Sequence, residues 1–139
     1  MMNNTDKINR DIEEVLSLSK NIAIVGLSGS PNKPSFQVAE YLMNAGYNIY
    51  PVNPYYEVIL KKTCYPDLQS ISDPIDIIDI FRKSDEILPI VKAAIETKAK
   101  VVWMQLGIVN QDAAILALKS GLKVMMDRCI KLEHQRYFI

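Results

Sequence analysis

A chain of 139 residues fits one domain, and with 49% hydrophobic and 23% charged residues its composition is that of a globular protein rather than a disordered one. Sixteen basic residues balance sixteen acidic ones, which leaves no electrostatic footprint for nucleic acid or an anionic membrane. No apolar run approaches the roughly 20 residues of a membrane span, residues 1–10 carry no secretory core, and Cys64 and Cys129 fall in no CxxC or Cys/His cluster that would indicate a disulfide framework or a zinc site.

The expected location is the cytoplasm, and the expected organisation is one domain over residues 1–139 with residues 1–20 as a helical extension. Within that extension, residues 6–19 place Ile8, Ile12, Val15, Leu16 and Leu18 on one side of a helix. Residues 21–26 (NIAIVG) read as the first strand. Residues 35–45 read as a helix with Phe36, Ala39, Tyr41, Leu42 and Met43 near an apolar stripe, and Gly46 suits its C-terminal stop. The second strand, residues 47–52 (YNIYPV), contains Pro51, which cannot donate to a ladder, so the strand is expected to end there. Residues 54–72, with Cys64-Tyr65-Pro66, read as a short helix and an irregular connection.

Residues 76–81 (DIIDIF) form the third expected strand. A helix over residues 84–98 opens on Ser84-Asp85-Glu86 and buries Ile87, Ile90, Val91, Ala94 and Ile95. Residues 100–106 (KVVWMQL) are the fourth strand. Residues 110–120 are a helix with Asn110 as N-cap and Gly121 just past its end. The fifth strand is 123–127 (KVMMD), followed by a polar terminal helix that carries Glu133-His134-Gln135-Arg136, with His134 expected on its surface.

Continuous apolar strands alternating with helices predict βαβ units wound right-handed. The fold class is therefore α/β: a Rossmann-like, doubly wound parallel sheet of about five strands, expected order 3-2-1-4-5, with helices on both faces. Such sheets bind ligands beyond the carboxyl ends of their strands, where the strand order reverses. In that order the crevice falls between the first and fourth strands.

Five strand ends are thus nominated. The first, residues 26–35, offers Gly26, Ser28, Gly29, Ser30, Lys33, Pro34 and Ser35. Two glycines and three serines let backbone N–H groups approach an anion, the following helix adds its positive end, Pro34 suits a first turn and Lys33 supplies a compact charge. The spacing is GxxG rather than the GxGxxG dinucleotide fingerprint. The second end, Asn53-Pro54, lacks the Asp or Glu that NAD-binding domains place there for the ribose.

At the third end, Phe81-Arg82-Lys83 puts cations beside a helix N-terminus, an unfavourable place that an anionic ligand would offset. Gln105 and Gly107 at the fourth end could read an amide edge or merely close a turn. Asp127-Arg128-Cys129 at the fifth delivers charge and a thiol, with mutual pairing of Asp127 and Arg128 as the plain alternative. Asp79 is expected to line the crevice. No nucleophile, base or paired carboxylates form a catalytic constellation.

Taken in order, IAIVGLSGSPNKPSFQVAEYL, IYPVNP, DIIDIFR, VVWMQLG and VMMDRCIKLEH resemble the small stand-alone CoA-binding domain proteins, over residues 21–137. These are similar to the N-terminal CoA-binding domain of the succinyl-CoA synthetase α-subunit. The resemblance implies coenzyme A as the small-molecule nucleotide ligand, and the reading that follows is a protein that binds coenzyme A or an acyl-CoA. Gly26, Ser28, Lys33, Pro34 and Ser35 would hold phosphates, and Asn53 and Pro54 would border the nucleotide. Phe81 and Arg82 would line the site, and Gln105 and Gly107 would face the pantetheine arm. Asp127, Arg128 and Cys129 match the family's terminal motif.

The synthetase subunit carries its phosphohistidine on a second domain that has no counterpart here, so the resemblance implies binding without ligase activity. Two rival readings stand beside it: an NAD(P)-dependent enzyme or redox sensor, and the CoA-binding component of a multi-chain acyl-CoA enzyme. A homodimer or a partner enzyme docked on the N-terminal helix is part of the expectation; nucleic acid and membrane are not.

Overall fold

Alternate residues of the segment Ile22–Val25 enter opposite apolar clusters, Ile22 and Ile24 on one side, Ala23 and Val25 on the other. Only a strand covered on both faces does this. The computed structural model of the chain describes residues 4–139. Along it run α1 (Ile12–Leu18), β1 (Asn21–Val25), α2 (Pro34–Asn44), β2 (Asn48–Val52), a small hairpin of β3 (Val58–Ile59) and β4 (Lys62–Thr63), and β5 (Ile77–Ile80). Then come α3 (Ile87–Glu96), β6 (Val101–Met104), α4 (Gln111–Lys119), β7 (Lys123–Met125) and α5 (Ile130–Phe138).

Five strands form one parallel sheet in the order β2-β1-β5-β6-β7. Helices α1, α2 and α5 bury Leu16, Leu42 and Ile130 against one face, where Trp103 is fully enclosed; α3 and α4 bury Val91, Ala94, Ala113 and Ala117 against the other. Each fully buried branched side chain contributes roughly 1.5–3 kcal/mol relative to exposure. The α/β, doubly wound reading of the sequence is this architecture.

The strand order differs from the expected one. Numbered along the sheet alone it is 2-1-3-4-5, not 3-2-1-4-5, and the reversal falls between the first and third strands rather than the first and fourth. Pro51 explains it. In a parallel ladder a residue's N–H and C=O point to the same side. The Pro51 carbonyl accepts from Tyr65 N–H (2.9 Å) on the outer edge, so a full strand there would lack a donor at Pro51. A strand so marked belongs at an edge. Pro51 therefore does not end β2, which runs on to Val52; it fixes the strand's place.

Other boundaries shift for local reasons. The expected helix over residues 6–19 is broken by left-handed residues Asn9 (φ 63°) and Asp11 (φ 61°). Asn9 extends the sheet edge instead: its N–H donates to the Val124 carbonyl (2.9 Å), its Nδ2 to the Met126 carbonyl (3.1 Å), and its Oδ1 accepts from Met126 N–H (2.7 Å). Helix α1 buries Ile12, Val15 and Leu16 in the core of the chain and leaves Leu18 exposed. The connection 54–72 holds the hairpin and a single 3-10 turn, Leu68–Ser70.

Candidate functional site

Register aligns the strand ends. Val25 lies opposite Val52 and Ile80, and Ile80 opposite Met104, so Gly26, Asn53, Phe81 and Gln105 leave the sheet side by side. Asp127 follows β7 in the same row. The switch point between β1 and β5 is where Gly26 turns. Its φ is +85°, and a Cβ there would overlap the Phe81 carbonyl and approach Arg82 Cδ to 2.7 Å. Only glycine lets these two chain segments pass this closely.

The loop beyond Gly26 leads to α2, whose N-terminus has no side-chain cap and no acid in its first turn. Part of the loop's donor capacity is spent internally. Ser28 N–H donates to Ser35 Oγ (3.0 Å) and Ser30 N–H to Ser28 Oγ (3.0 Å). Gly29 lies under the ring of Tyr56, where a Cβ would sit 2.6 Å from Cε1. Lys33 precedes Pro34 at the helix start and is exposed. What is left of the candidate anion cradle expected over residues 26–35 is Gly29, Lys33 and the first turn of α2, beside Ser28, Ser30, Pro34 and Ser35.

On the α3 side of the same turn is a cavity of about 410 Å³, lined in part by Val25, Gly26, Val52, Pro54, Leu68 and Ile90. Asn53 also lines it, but its side chain is committed to scaffolding: Nδ2 donates to the Leu27 carbonyl (3.0 Å), Oδ1 accepts from Tyr55 N–H (2.9 Å), and its carbonyl accepts from the buried Cys64 thiol (3.4 Å). Asn53 pins the glycine loop to the segment after β2, and burial raises the Cys64 pKa.

Arg82 reaches the cavity rim, yet it is not an unpaired cation. Nε donates to Glu86 Oε2 (3.0 Å) and Nη2 to Oε1 (3.4 Å), both side chains being 42% exposed. The charge expected to await an anion is balanced within the chain, and α3 begins only at Ile87 after the turn Ser84–Glu86. Sequence reasoning missed Glu86, Asp67 and Tyr55 as cavity residues. The Arg82–Glu86 pair had a signal, the i,i+4 spacing of opposite charges; Asp67 had none, because its place depends on the bridge between Tyr65 and Val52.

The fourth and fifth strand ends form a clamp. Gln105 is buried, and its Oε1 accepts from Ile130 N–H (3.1 Å) at the start of α5. Gly107 N–H donates to Asp127 Oδ1 (2.7 Å). Arg128 does not pair with the Asp127 carboxylate; Nη1 donates to the Asp127 carbonyl (2.9 Å), Nε lies 3.8 Å from Glu133, and the Arg128 carbonyl accepts from Trp103 Nε1 (2.8 Å). Cys129 is a free, half-buried thiol at the N-cap of α5.

Two expectations fail. Asp79 does not line the crevice: it is fully buried in β5, with neither carboxylate oxygen hydrogen-bonded, and burial pushes its pKa well above the usual carboxylate range. The middle of a strand points to the layers, not to the sheet's end. His134 is no plain surface residue: Nδ1 meets Tyr41 Oη at 2.7 Å, and the ring packs against Tyr41, Tyr47 and Phe138. Burial lowers its pKa.

No helix among the described residues is long and apolar enough to cross a membrane, and none of their His, Cys, Asp and Glu side chains group to hold a metal. The chain is 40% identical over 124 residues to the Bacillus subtilis protein named Uncharacterized protein YneT, covering 89% of this chain and 92% of that one. It is 39% identical over 59 residues to the ADP-forming acetate–CoA ligase II of Archaeoglobus fulgidus, a match of 41% of this chain and 9% of the ligase. A solved structure of a hypothetical protein from Pyrococcus horikoshii superimposes with a TM-score of 0.90 at 38% identity, over 99% of this chain and 94% of that one. The sequence model of a family described as CoA binding domain matches residues 20–135, which takes in the glycine turn, the cavity and the clamp, and the chain belongs to that family.

Proposed function

We propose that the chain acts as one unit that binds coenzyme A across its strand ends without chemistry of its own, as a carrier, sensor or partner subunit. The observation that carries the reading is the double role of Gly26, which both opens the cradle and lines the 410 Å³ cavity beside Arg82. Coenzyme A has a pyrophosphate, a third phosphate and an adenine. Helix N-terminal amides with Gly29 and Lys33 suit the charge, and the apolar wall of Val25, Val52, Leu68 and Ile90 suits the ring. Ser28, Ser30, Pro34, Ser35 and Asn53 shape the cradle and Pro54 borders the nucleotide. In this reading Phe81, at the end of β5 beside Gly26, borders the ligand, and Gln105, Gly107, Asp127 and Arg128 at the next strand ends face its pantetheine arm.

Calorimetry of the full chain with coenzyme A, dephospho-coenzyme A and NADH tests it. The expected result is micromolar affinity for coenzyme A, about 8 kcal/mol, with dephospho-coenzyme A about tenfold weaker and NADH silent. Equal weak heats for all three would remove the proposal. One observation favours the dinucleotide instead: Asp67 lines the cavity with only Oδ1 engaged, by Ser70, leaving Oδ2 for ribose hydroxyls. Strong NADH heat abolished in Asp67→Asn would establish that second reading.

The Arg82–Glu86 pair makes a further expectation. A phosphate must compete with Glu86 for the guanidinium and also meets its repulsion. Glu86→Gln is expected to tighten coenzyme A about threefold and Arg82→Ala to weaken it about tenfold, the worth of one charge-assisted hydrogen bond. Urea stability should move by less than about 0.5 kcal/mol in either variant, because exposed pairs contribute little. Unchanged affinity in both variants would take Arg82 out of the site.

A further inference from the structure

Between β2 and the small hairpin, residues 54–58 form an exposed strap anchored at both ends. Asn53 before it is buried and tied to the Leu27 carbonyl (3.0 Å). Ile59 after it is buried in the core, and the Glu57 carbonyl accepts from Cys64 N–H (2.9 Å). The strap carries two consecutive tyrosines that are placed differently. Tyr56 lies on the glycine loop, where a Cβ at Gly29 would come within 2.6 Å of its Cε1. Gly29 is not among the glycines of positive φ, so a glycine is needed there for the ring and not for the backbone. Tyr56 thereby braces the strap.

Tyr55 lines the cavity of about 410 Å³, and its N–H donates to Asn53 Oδ1 (2.9 Å), which fixes its backbone. Its side chain is nevertheless 86% exposed. A single exposed aromatic residue is ordinary by itself. Tyr41, Tyr47 and Tyr50, however, each place a hydroxyl on a partner, at His134 (2.7 Å), the Leu16 carbonyl (2.6 Å) and Asp73 (2.8 Å). No hydrogen bond or ring contact among the described residues engages the Tyr55 side chain. The cavity wall of Val25, Val52 and Leu68 is buried, so an exposed tyrosine that lines the same space stands at its mouth. A planar base laid on that wall has one face covered and the other in water. A ring at the mouth is placed to cover the second face, and stacking of base on ring needs no hydrogen bond from either.

We propose that Tyr55 is the residue that closes over the ligand's purine base, holding it against the apolar wall, with Tyr56 as the brace that keeps the strap in position. This rests on the coenzyme A reading and assigns a binding role at the same site to a residue that the sequence did not single out.

Titration of the full chain with coenzyme A tests it in wild type, Tyr55→Ala and Tyr55→Phe. Alanine should weaken binding about tenfold, a usual worth for one base on one ring, and phenylalanine, which keeps the ring face, should stay within about twofold of wild type. In Tyr55→Trp the added indole reports the contact itself. Its fluorescence should be quenched as coenzyme A binds, against the constant emission of Trp103, which is fully buried. Because Tyr55 is exposed, none of these variants disturbs the core. Coenzyme A binding that Tyr55→Ala leaves unchanged, or that leaves the added indole unquenched at saturation, would overturn the stacking role while the nucleotide reading stood. A loss in Tyr55→Phe as large as in Tyr55→Ala would overturn it too, because the hydroxyl rather than the ring face would then hold the ligand. No binding by wild type would end both.

Discussion

Gly26→Ala is expected to lose about 3 kcal/mol or more of folding stability, enough to unfold much of a marginally stable domain at 37 °C. Two costs add. An alanine at φ +85° enters a backbone region that L-residues avoid, worth about 1–2 kcal/mol. Its Cβ would also overlap the Phe81 carbonyl, and β1 and β5 are hydrogen-bonded neighbours there, Phe81 N–H donating to the Val25 carbonyl (2.8 Å), so neither backbone can retreat cheaply. Gly107→Ala is the control, since Gly107 has the same φ of +85° but nothing within 4 Å of an added Cβ. It should lose only about 1 kcal/mol. Urea unfolding of the two variants separates strain from crowding, and equal losses would mean that the close approach of the loop to Phe81 does not exist. Any folded Gly26→Ala protein should also bind coenzyme A more weakly, because the strand ends must part to admit the methyl group.

Much of this site was legible because its determinants are local. The glycine turn, the proline at the start of α2 and the Asn110 cap, whose Oδ1 accepts from Ala113 N–H (3.0 Å), each follow from backbone rules that act within a few residues. What stayed hidden depends on pairs distant in sequence. Asn53 lines the cavity, but its tie to the Leu27 carbonyl is not legible in a turn sequence alone. Gln105, Asp127 and Arg128 follow their strands, and their side chains serve α5, Gly107 and Glu133. Pro51 is the instructive case. Along the strand the missing donor of Pro51 suggests an end; across it the same missing donor specifies an edge and thereby the strand order.

Asp79→Asn is expected to make the protein more stable at pH 8 and nearly unchanged at pH 4. Asp79 lies opposite Ile24 and Trp103 in the middle of the sheet, fully buried, with both carboxylate oxygens unpartnered. A carboxylate so placed would be an uncompensated charge, so burial holds the group protonated and its pKa well above the ordinary 3.8. In the unfolded chain the same group ionises near that ordinary value. Between the two pKa values the folded state binds one more proton than the unfolded state, and stability must fall as pH rises. Asparagine keeps the shape and polarity but cannot ionise, so it loses this slope. Asp79→Val removes the unpartnered polar group as well, and should gain about 1–3 kcal/mol even at pH 4, less whatever its slightly larger volume costs. Urea unfolding of wild type and both variants at pH 4, 6 and 8 measures these differences. If Asp79→Asn instead lost stability at pH 8, the carboxylate would have to be ionised and paired in the folded protein, and the interior between β5, Trp103 and the α2–α5 layer would have to contain a partner for it.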